Sequence, residues 1–562
     1  MKVAARADLA ALAGEYWELA LAWNPLMATL VGDRRYDDRM PDISPEALDA
    51  QREDLTEFSA RIAAVATQDL SPDERVTRLQ LLAVARDGLD ERTTGFETWV
   101  LDPLDGPQVA LLNLPAWHTL RTREEADAFV RRVEAMGPYL AQHVANLERG
   151  HGADLSSAVD AVRKVDLQLK ELLARSSAEW SLVVEPPAAL PPSFDDAQRG
   201  KLRERLLAAV ERSVRPGFAR LEEFVGEVAR PAARPEDRPG LSALAAGRTI
   251  YDKTLRIHTS LPLTAQAIHD TGLAEVARIN EETRELGGRV LGTSNLEAIQ
   301  TRLRSDPALH FRTRDEVEAK AVEALRRAEA AVPRWFGRLP RTPCVVRRIE
   351  GHEEKFSTIA YYRQPATDGS RPGTYYINTY APETRPRYEA EALAFHEAVP
   401  GHHTQIAIAQ ELAGIPEFRK HTGPTAYVEG WALYTERLCD EMGLYTADLD
   451  RMGMLSFDSW RACRLVVDTG LHSLSWSRHR AIEFMLANTA LAANNIENEV
   501  DRYITWPGQA TAYKTGQLEI LRLRAATRER LGAAFDIKAF HDAVLGAGAV
   551  GLETLADIVQ GL

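Results

Sequence analysis

Cysteine is scarce: Cys344, Cys439 and Cys463 are all that 562 residues contain. Their number is odd, their spacing is wide and no CxxC pair occurs, which excludes a disulfide framework and makes a reducing cytosol the expected compartment. No uninterrupted apolar run is long enough to span a bilayer. The opening stretch MKVAARADLAALAGEYWELALAW is broken by Asp8, Glu15 and Glu18 and makes a poor signal peptide. Positive charge is in deficit, and a formal net charge of −14 argues against a nucleic-acid partner, which needs a basic stripe. No fixed-period repeat is present. The expectation is a cytoplasmic protein that partners neither membrane nor nucleic acid. With 45% hydrophobic residues it has the material for a large core.

The length allows two to four average domains or one large helical body. Most of the chain has helical period. In TRDEVEAKAVEALRRAEAAVP, Thr313 and Glu316 read as a capping box, Val317, Ala321, Leu325 and Ala328 share a face, and Pro333 is the stop. Amphipathic stretches also cover 140–174 and 265–286, and another covers 202–228 with an expected kink or break at Pro216-Gly217. Two Pro-rich segments, 183–196 and 230–240, read as surface connections. A helical region over 1–240 and a second over 241–562 are expected to form one continuous unit. TIAYYRQPATDGSRPGTYYINTY (358–380) differs, with two aromatic and β-branched runs around PATDGSRPG that predict a hairpin with a long loop. Such a strand either packs as a structural flap or offers an edge to an extended peptide. Tyr376 within it is a candidate substrate contact.

The densest chemistry lies in FHEAVPGHHTQ (395–405), where three histidines and a glutamate fall within residues 396–403 of a chain with 14 histidines. A catalytic zinc takes three protein ligands from His, Asp or Glu and leaves one position open. In the helical HExxH pattern, ligands at i and i+4 share a face and the Glu at i+1 is the base. Here two extra residues intervene. In an unbroken helix, residue i+6 lies well round the cylinder and i+7 about 10.5 Å along it. Pro400 and Gly401 can bulge the helix and return a following histidine towards His396. His402 is the expected second ligand and His403 the reserve. A third ligand is expected from AYVEGWALYTERL (426–438), where Glu429 and Glu436 sit among apolar residues and need partners. Glu429 is the candidate ligand, and Glu436 the support for a histidine N–H.

HEAVPGHHTQ followed by EGWALYTERL resembles the bacterial family called Domain of Unknown Function 885, marked by HExxPGHxxQ and EGWAxYxE. RLVVDTGLHSLSW (464–476), YITWPGQATAYKTGQL (503–518) and RPGTYYINT continue the match. The resemblance implies a zinc metallopeptidase of the gluzincin type, similar to the Taq carboxypeptidase, neurolysin and angiotensin-converting-enzyme group. The implied fold is mainly α: an elongated helical body with a deep central cleft and a small hairpin or sheet at its edge. Carried over by motif, His396, His402 and Glu429 become metal ligands and Glu397 the base. Tyr513, by its place in the matching motif, becomes the stabiliser of the oxyanion.

Further along, Arg461, Arg464, Asp468 and His472 recur at three or four residues and form a polar strip on an otherwise apolar helix. His472 is a candidate oxyanion donor, and the arginines either hold a substrate carboxylate or brace helices. Gln509, Tyr513 and Gln517 repeat every four residues, and Gln509 is a candidate substrate contact. A carboxypeptidase requires a cation for the terminal carboxylate, for which Arg461, Arg464 and Arg502 are the candidates. The expectation is a Zn2+-dependent hydrolase acting on a peptide or small amide. The alternatives are a non-catalytic peptide- or metal-binding protein and a metal-dependent amidase on a non-peptide substrate.

Overall fold

Helices account for 72% of the chain, and their starts follow local polar chemistry. The structure, a computed structural model, describes residues 2–562 apart from 352, 353, 356, 357, 367, 368 and 370, and side chains from residue 8 onward. Ser71 and Glu74 close a reciprocal capping box before Pro72–Thr94, and Thr122 and Glu125 do the same before Arg123–Gly152. At Arg314–Ala331 only half of such a box forms. Thr313 accepts from the Glu316 N–H at 3.2 Å, while the Glu316 carboxylate takes the Arg312 N–H at 2.8 Å. Pro333 falls in the short 3-10 turn that ends this helix.

Two local expectations are corrected. No break occurs at Pro216-Gly217: Asp196–Ala209, a π turn at Val210–Val214 and Arg215–Phe224 follow one another without interruption, and the π turn is the local irregularity before the proline. The wider turn relieves the clash between the Pro216 ring and the preceding turn. Segment 183–196 is only partly a connection, since Ser181–Ala189 is a helix with Val183, Pro186 and Pro187 buried. These prolines serve as apolar filling beside the core of Trp180, Leu182 and Phe218. Burial, not flexibility, is what their rings are used for here.

Core contacts cross residue 240. Leu9, Leu55, Phe58 and Leu81 share a cluster with Phe418. The neighbouring buried Arg419 donates to Asp73 Oδ1 (3.0 Å), Thr77 Oγ1 (2.9 Å) and the Ala547 carbonyl (2.7 Å).

The expected hairpin is present and belongs to a three-stranded sheet. Strand β2 (Ala360–Arg363) runs antiparallel to β3 (Gly373–Ile377), with Tyr361 opposite Tyr376. Strand β1 (Cys344–Arg348), which the sequence pattern does not reveal, pairs parallel to β3, so that the order is β1-β3-β2 and β2 is an edge. Within the connecting loop, residues 367, 368 and 370 lie outside the described residues.

Seven helices shape the candidate site: α1 (Ala265–Val290), α2 (Ala390–Glu397), α3 (His402–Glu411), α4 (Thr425–Glu441), α5 (Asp448–His472), α6 (Ala493–Thr505) and α7 (Ala512–Leu531). Helices α4 and α7 meet backbone to backbone at Gly430 and Gly516. A Cβ on Gly516 would lie 1.8 Å from the Ala426 oxygen, and one on Gly430 would lie 2.4 Å from the Gly516 Cα. Buried ions then lock α7 in place. Lys514 Nζ reaches Asp458 Oδ1 of α5 at 2.6 Å and Glu275 Oε2 of α1 at 2.9 Å, and Arg437 of α4 bonds Asp458 Oδ2 at 2.5 Å. Together these contacts fix Tyr513, on the first turn of α7, over the same cavity as Glu429.

Candidate metal centre

The chain between α2 and α3 folds back over the end of α2. Ala398 leaves helical geometry (φ −105°, ψ −111°), and the Val399–Pro400 bond is cis. Gly401 follows at a point where a Cβ would lie 1.9 Å from the His396 oxygen and 2.4 Å from the Phe395 oxygen, so only glycine fits. The Trp431 indole N–H donates to the Pro400 carbonyl at 3.0 Å and pins the turn to α4. The result is that the rings of His396 and His402 stand edge to face, 4.8 Å apart.

Glu429 of α4 faces both. Its Oε2 lies 3.7 Å from His396 Nε2 and 3.6 Å from His402 Nε2, and one donor atom from each of the three residues falls within a 4.8 Å span. Behind His396, its Nδ1–H donates to Glu436 Oε1 at 2.8 Å, which turns the Nε2 lone pair towards the cluster. Burial alone would push the His396 imidazolium down, but the Glu429 and Glu436 carboxylates outweigh it and raise the pKa to about 9. Burial alone would likewise raise Glu429, yet the two imidazoles hold it well below the usual carboxylate range. The centre therefore favours positive charge between its donors. Two imidazole nitrogens and one carboxylate oxygen are a donor set that suits zinc and leaves a coordination position free.

His403 points elsewhere. Its Nε2–H donates to the Thr342 carbonyl (3.1 Å) and its Nδ1 accepts from the Tyr362 hydroxyl (2.9 Å), so both nitrogens are engaged. Burial lowers its pKa to about 4.

The cluster opens into a cavity of 540 Å³. Glu397, half-buried, lies on its wall beside His396, and residues 358–362, leading into and along the edge strand β2, form another side. Tyr513 closes it from α7. The opposite wall is one face of α5, where Phe457, Trp460, Arg461 and Arg464 recur at helical spacing, with Glu499 and Arg502 added from α6. Arg464 donates to the Tyr503 hydroxyl (3.0 Å) and Glu499 Oε2 (2.8 Å), and its guanidinium lies 4.4 Å from the Tyr513 ring centre. Arg502 donates to Gln509 Oε1 at 2.6 Å, and the Gln509 amide reaches the Tyr513 hydroxyl at 3.4 Å. Gln509 and Tyr376 do not line the cavity. Tyr376 stacks at 4.9 Å behind Tyr361, which does.

The structure does not bring His472 to this cavity. Its Nδ1 accepts from the Leu241 N–H (3.1 Å) and its Nε2–H donates to the Tyr503 carbonyl (2.9 Å), so both nitrogens are spent on backbone. Burial presses its pKa down to about 3. Asp468 is likewise satisfied internally, by the Tyr251 hydroxyl (2.5 Å) and the Gly508 N–H (3.0 Å). The polar strip of α5 thus divides: its arginines face the cavity and its C-terminal members brace neighbouring backbone. Trp460, Phe457 and Glu499 are wall residues that the sequence reading missed. The signal for the first two was their i, i+3 spacing alongside Arg461 and Arg464.

A family profile described as "Bacterial protein of unknown function (DUF885)" matches residues 25–559. Among solved structures, a "putative lipoprotein" from Colwellia psychrerythraea is similar, with a TM-score of 0.93 and 27% identity over 99% of each chain. A "putative lipoprotein of unknown function" from Shewanella oneidensis shares the fold, with a TM-score of 0.76 and 18% identity over 98% of this chain and 99% of that one. No curated protein matches the sequence. Among the described residues, no helix is long and apolar enough to cross a membrane.

Proposed function

The chain belongs to the DUF885 family, and on that premise we propose that it is a zinc-dependent hydrolase of peptide amide bonds. The observation that carries this reading is the convergence of His396, His402 and Glu429 within a 4.8 Å span in a cavity that also holds Glu397. These three residues would hold the ion. Zinc bound there supplies a Lewis acid that polarises a carbonyl and acidifies a water molecule.

The chain's own groups do the rest. Glu397 accepts the proton of the attacking water and delivers it to the leaving nitrogen. The Tyr513 hydroxyl donates to the carbonyl oxygen as negative charge develops there, and Arg464, stacked on its ring, together with Gln509 holds it in position. Glu436 keeps His396 in the tautomer that presents Nε2. Strand β2, at the edge of the sheet among the described residues, would receive an extended substrate. The committed backbone bonds of His472 support a bracing role for it rather than a catalytic one. The cytoplasmic placement is part of this reading, supported by three free, buried cysteines, and cell fractionation tests it.

The decisive experiment pairs metal content, by elemental mass spectrometry of the purified chain, with peptide-library cleavage by wild type and Glu397→Gln. About one zinc per chain in both, with cleavage only by wild type, is the expected outcome. A zinc-free chain, or full activity in Glu397→Gln, refutes the proposal.

A further inference from the structure

Arg461 is buried, at 6% exposure, on the α5 wall of the cavity. Its guanidinium makes no hydrogen bond to any described residue, and the buried Nε and Nη1 are without partners. Other buried arginines of this chain are paired: Arg419 has Asp73, Thr77 and a carbonyl, and Arg524 grips both oxygens of Glu441 at 2.8 and 2.6 Å. A buried cation without a hydrogen-bond partner is costly, and the π faces of Phe457 (4.7 Å) and Trp460 (4.2 Å) offset only part of that cost.

None of the neighbouring acids bonds it: Glu436 serves His396 through Oε1 and leaves its buried Oε2 unbonded, Glu429 faces both histidines, and Glu389 accepts from the Ser456 hydroxyl. Glu499 is shared by Arg464, Arg502 and the Tyr503 hydroxyl. Of the three guanidinium groups on this wall, Arg464 and Arg502 share the Glu499 carboxylate and Arg461 is bonded to none. Arg464 keeps one buried N–H unbonded, at Nη1, but Arg461 alone of the three makes no hydrogen bond to a described residue, and its guanidinium lies against the tilted rings of Phe457 and Trp460.

We propose that Arg461 is the seat of a substrate carboxylate, and that the substrates are short peptides with a free C-terminal carboxylate close to the bond that is cut. This deepens the hydrolase reading of the same cavity and rests on it for the identity of that bond. The guanidinium supplies planar, charge-assisted hydrogen bonds that a carboxylate satisfies and a neutral amide does not.

Binding of N-acetyl-trialanine and of its C-terminal amide to the Glu397→Gln chain, measured by calorimetry before and after chelation, tests the assignment. The acid is expected to bind about tenfold or more tightly than the amide. Arg461→Gln in that background closes the gap, and Arg461→Lys retains part of it. Equal affinities, no saturable binding of either peptide at millimolar concentration, or a gap that persists in Arg461→Gln overturns the proposal. Because the gap belongs to Arg461, it survives removal of metal. A chain that lacks zinc and hydrolysis but keeps the gap refutes the function proposed above and leaves this assignment standing.

Discussion

Substituting Glu389 by glutamine should change how stability depends on pH, and the size of the change follows from burial. Glu389 is 9% exposed, at the foot of α2, and its carboxylate accepts from the Ser456 hydroxyl at 2.8 Å. Burial is the main cause that pushes its pKa from 4.5 up to about 7, with the nearby Glu436 charge adding to it. The folded chain therefore holds a proton between pH 4.5 and 7 that the unfolded chain has lost. This contribution to stability is fully present below the unfolded pKa and is lost as pH rises through the folded one. At 1.36 kcal/mol per pKa unit, the loss amounts to roughly 3 kcal/mol, a sizeable part of a typical folding free energy of about 5–15 kcal/mol. Glutamine stays neutral and its carbonyl still accepts from Ser456. The stability of Glu389→Gln relative to wild type should thus rise by about 1.4 kcal/mol per pH unit from pH 5 to 7 and level off above. Urea unfolding followed by tryptophan fluorescence at pH 5, 6, 7 and 8 measures it. A difference that stays constant across these pH values refutes the reasoning, because Asp468, also raised to about 7 by burial, is present in both chains and cancels.

Other perturbations separate the groups around the cavity. His402→Ala should purify without metal, whereas His403→Ala should keep it and lose about 1–3 kcal/mol of stability by unpairing the Thr342 carbonyl and Tyr362 hydroxyl; elemental analysis beside thermal melts reads both. Gly516→Ala should force α4 and α7 apart, costing about 1–3 kcal/mol or more, and should reduce turnover through Tyr513, seen as a fall in kcat together with a lower melting temperature. Lys514→Met leaves the buried Asp458 Oδ1 without its cation, while Glu275 keeps Arg278, a loss of about 3–5 kcal/mol in urea titration. A melting temperature equal to wild type in that variant would mean that the ion cluster does not hold α7.

The start of Arg314–Ala331 was legible because capping is local: Thr313 accepts from the Glu316 N–H three residues on, whereas the full boxes at Ser71 with Glu74 and Thr122 with Glu125 went unread. The histidine spacing was legible for a similar reason, since proline and glycine after His396 leave few backbone courses, and the chain takes one that brings His402 to His396. Strand β1 was not legible, because Cys344–Arg348 is short and earns its conformation from pairing with β3, a partner distant in sequence. The buried prolines of Ser181–Ala189 were misread because their composition is that of a loop, while their setting is a core. His472 shows where periodicity stops being informative. A polar strip on a buried helix must be satisfied, but its spacing does not say whether by a cavity or by the backbone of residues 241 and 503.

The division of the site among helices bears on how its selectivity can be altered. The donors able to hold a cation come from one contiguous stretch, residues 396–429, pinned by the Gly401 turn and Trp431. The aromatic and cationic wall comes from α5 and α6, later in the chain. On the proposed hydrolase reading, a library randomised at Trp460 and Arg461 explores new substrates, while Arg502 is kept because it holds Gln509 and through it Tyr513. If the proposal holds, the library's members can be sorted first by retained metal and then by what they cleave, so that recognition is retrained without rebuilding the chemistry.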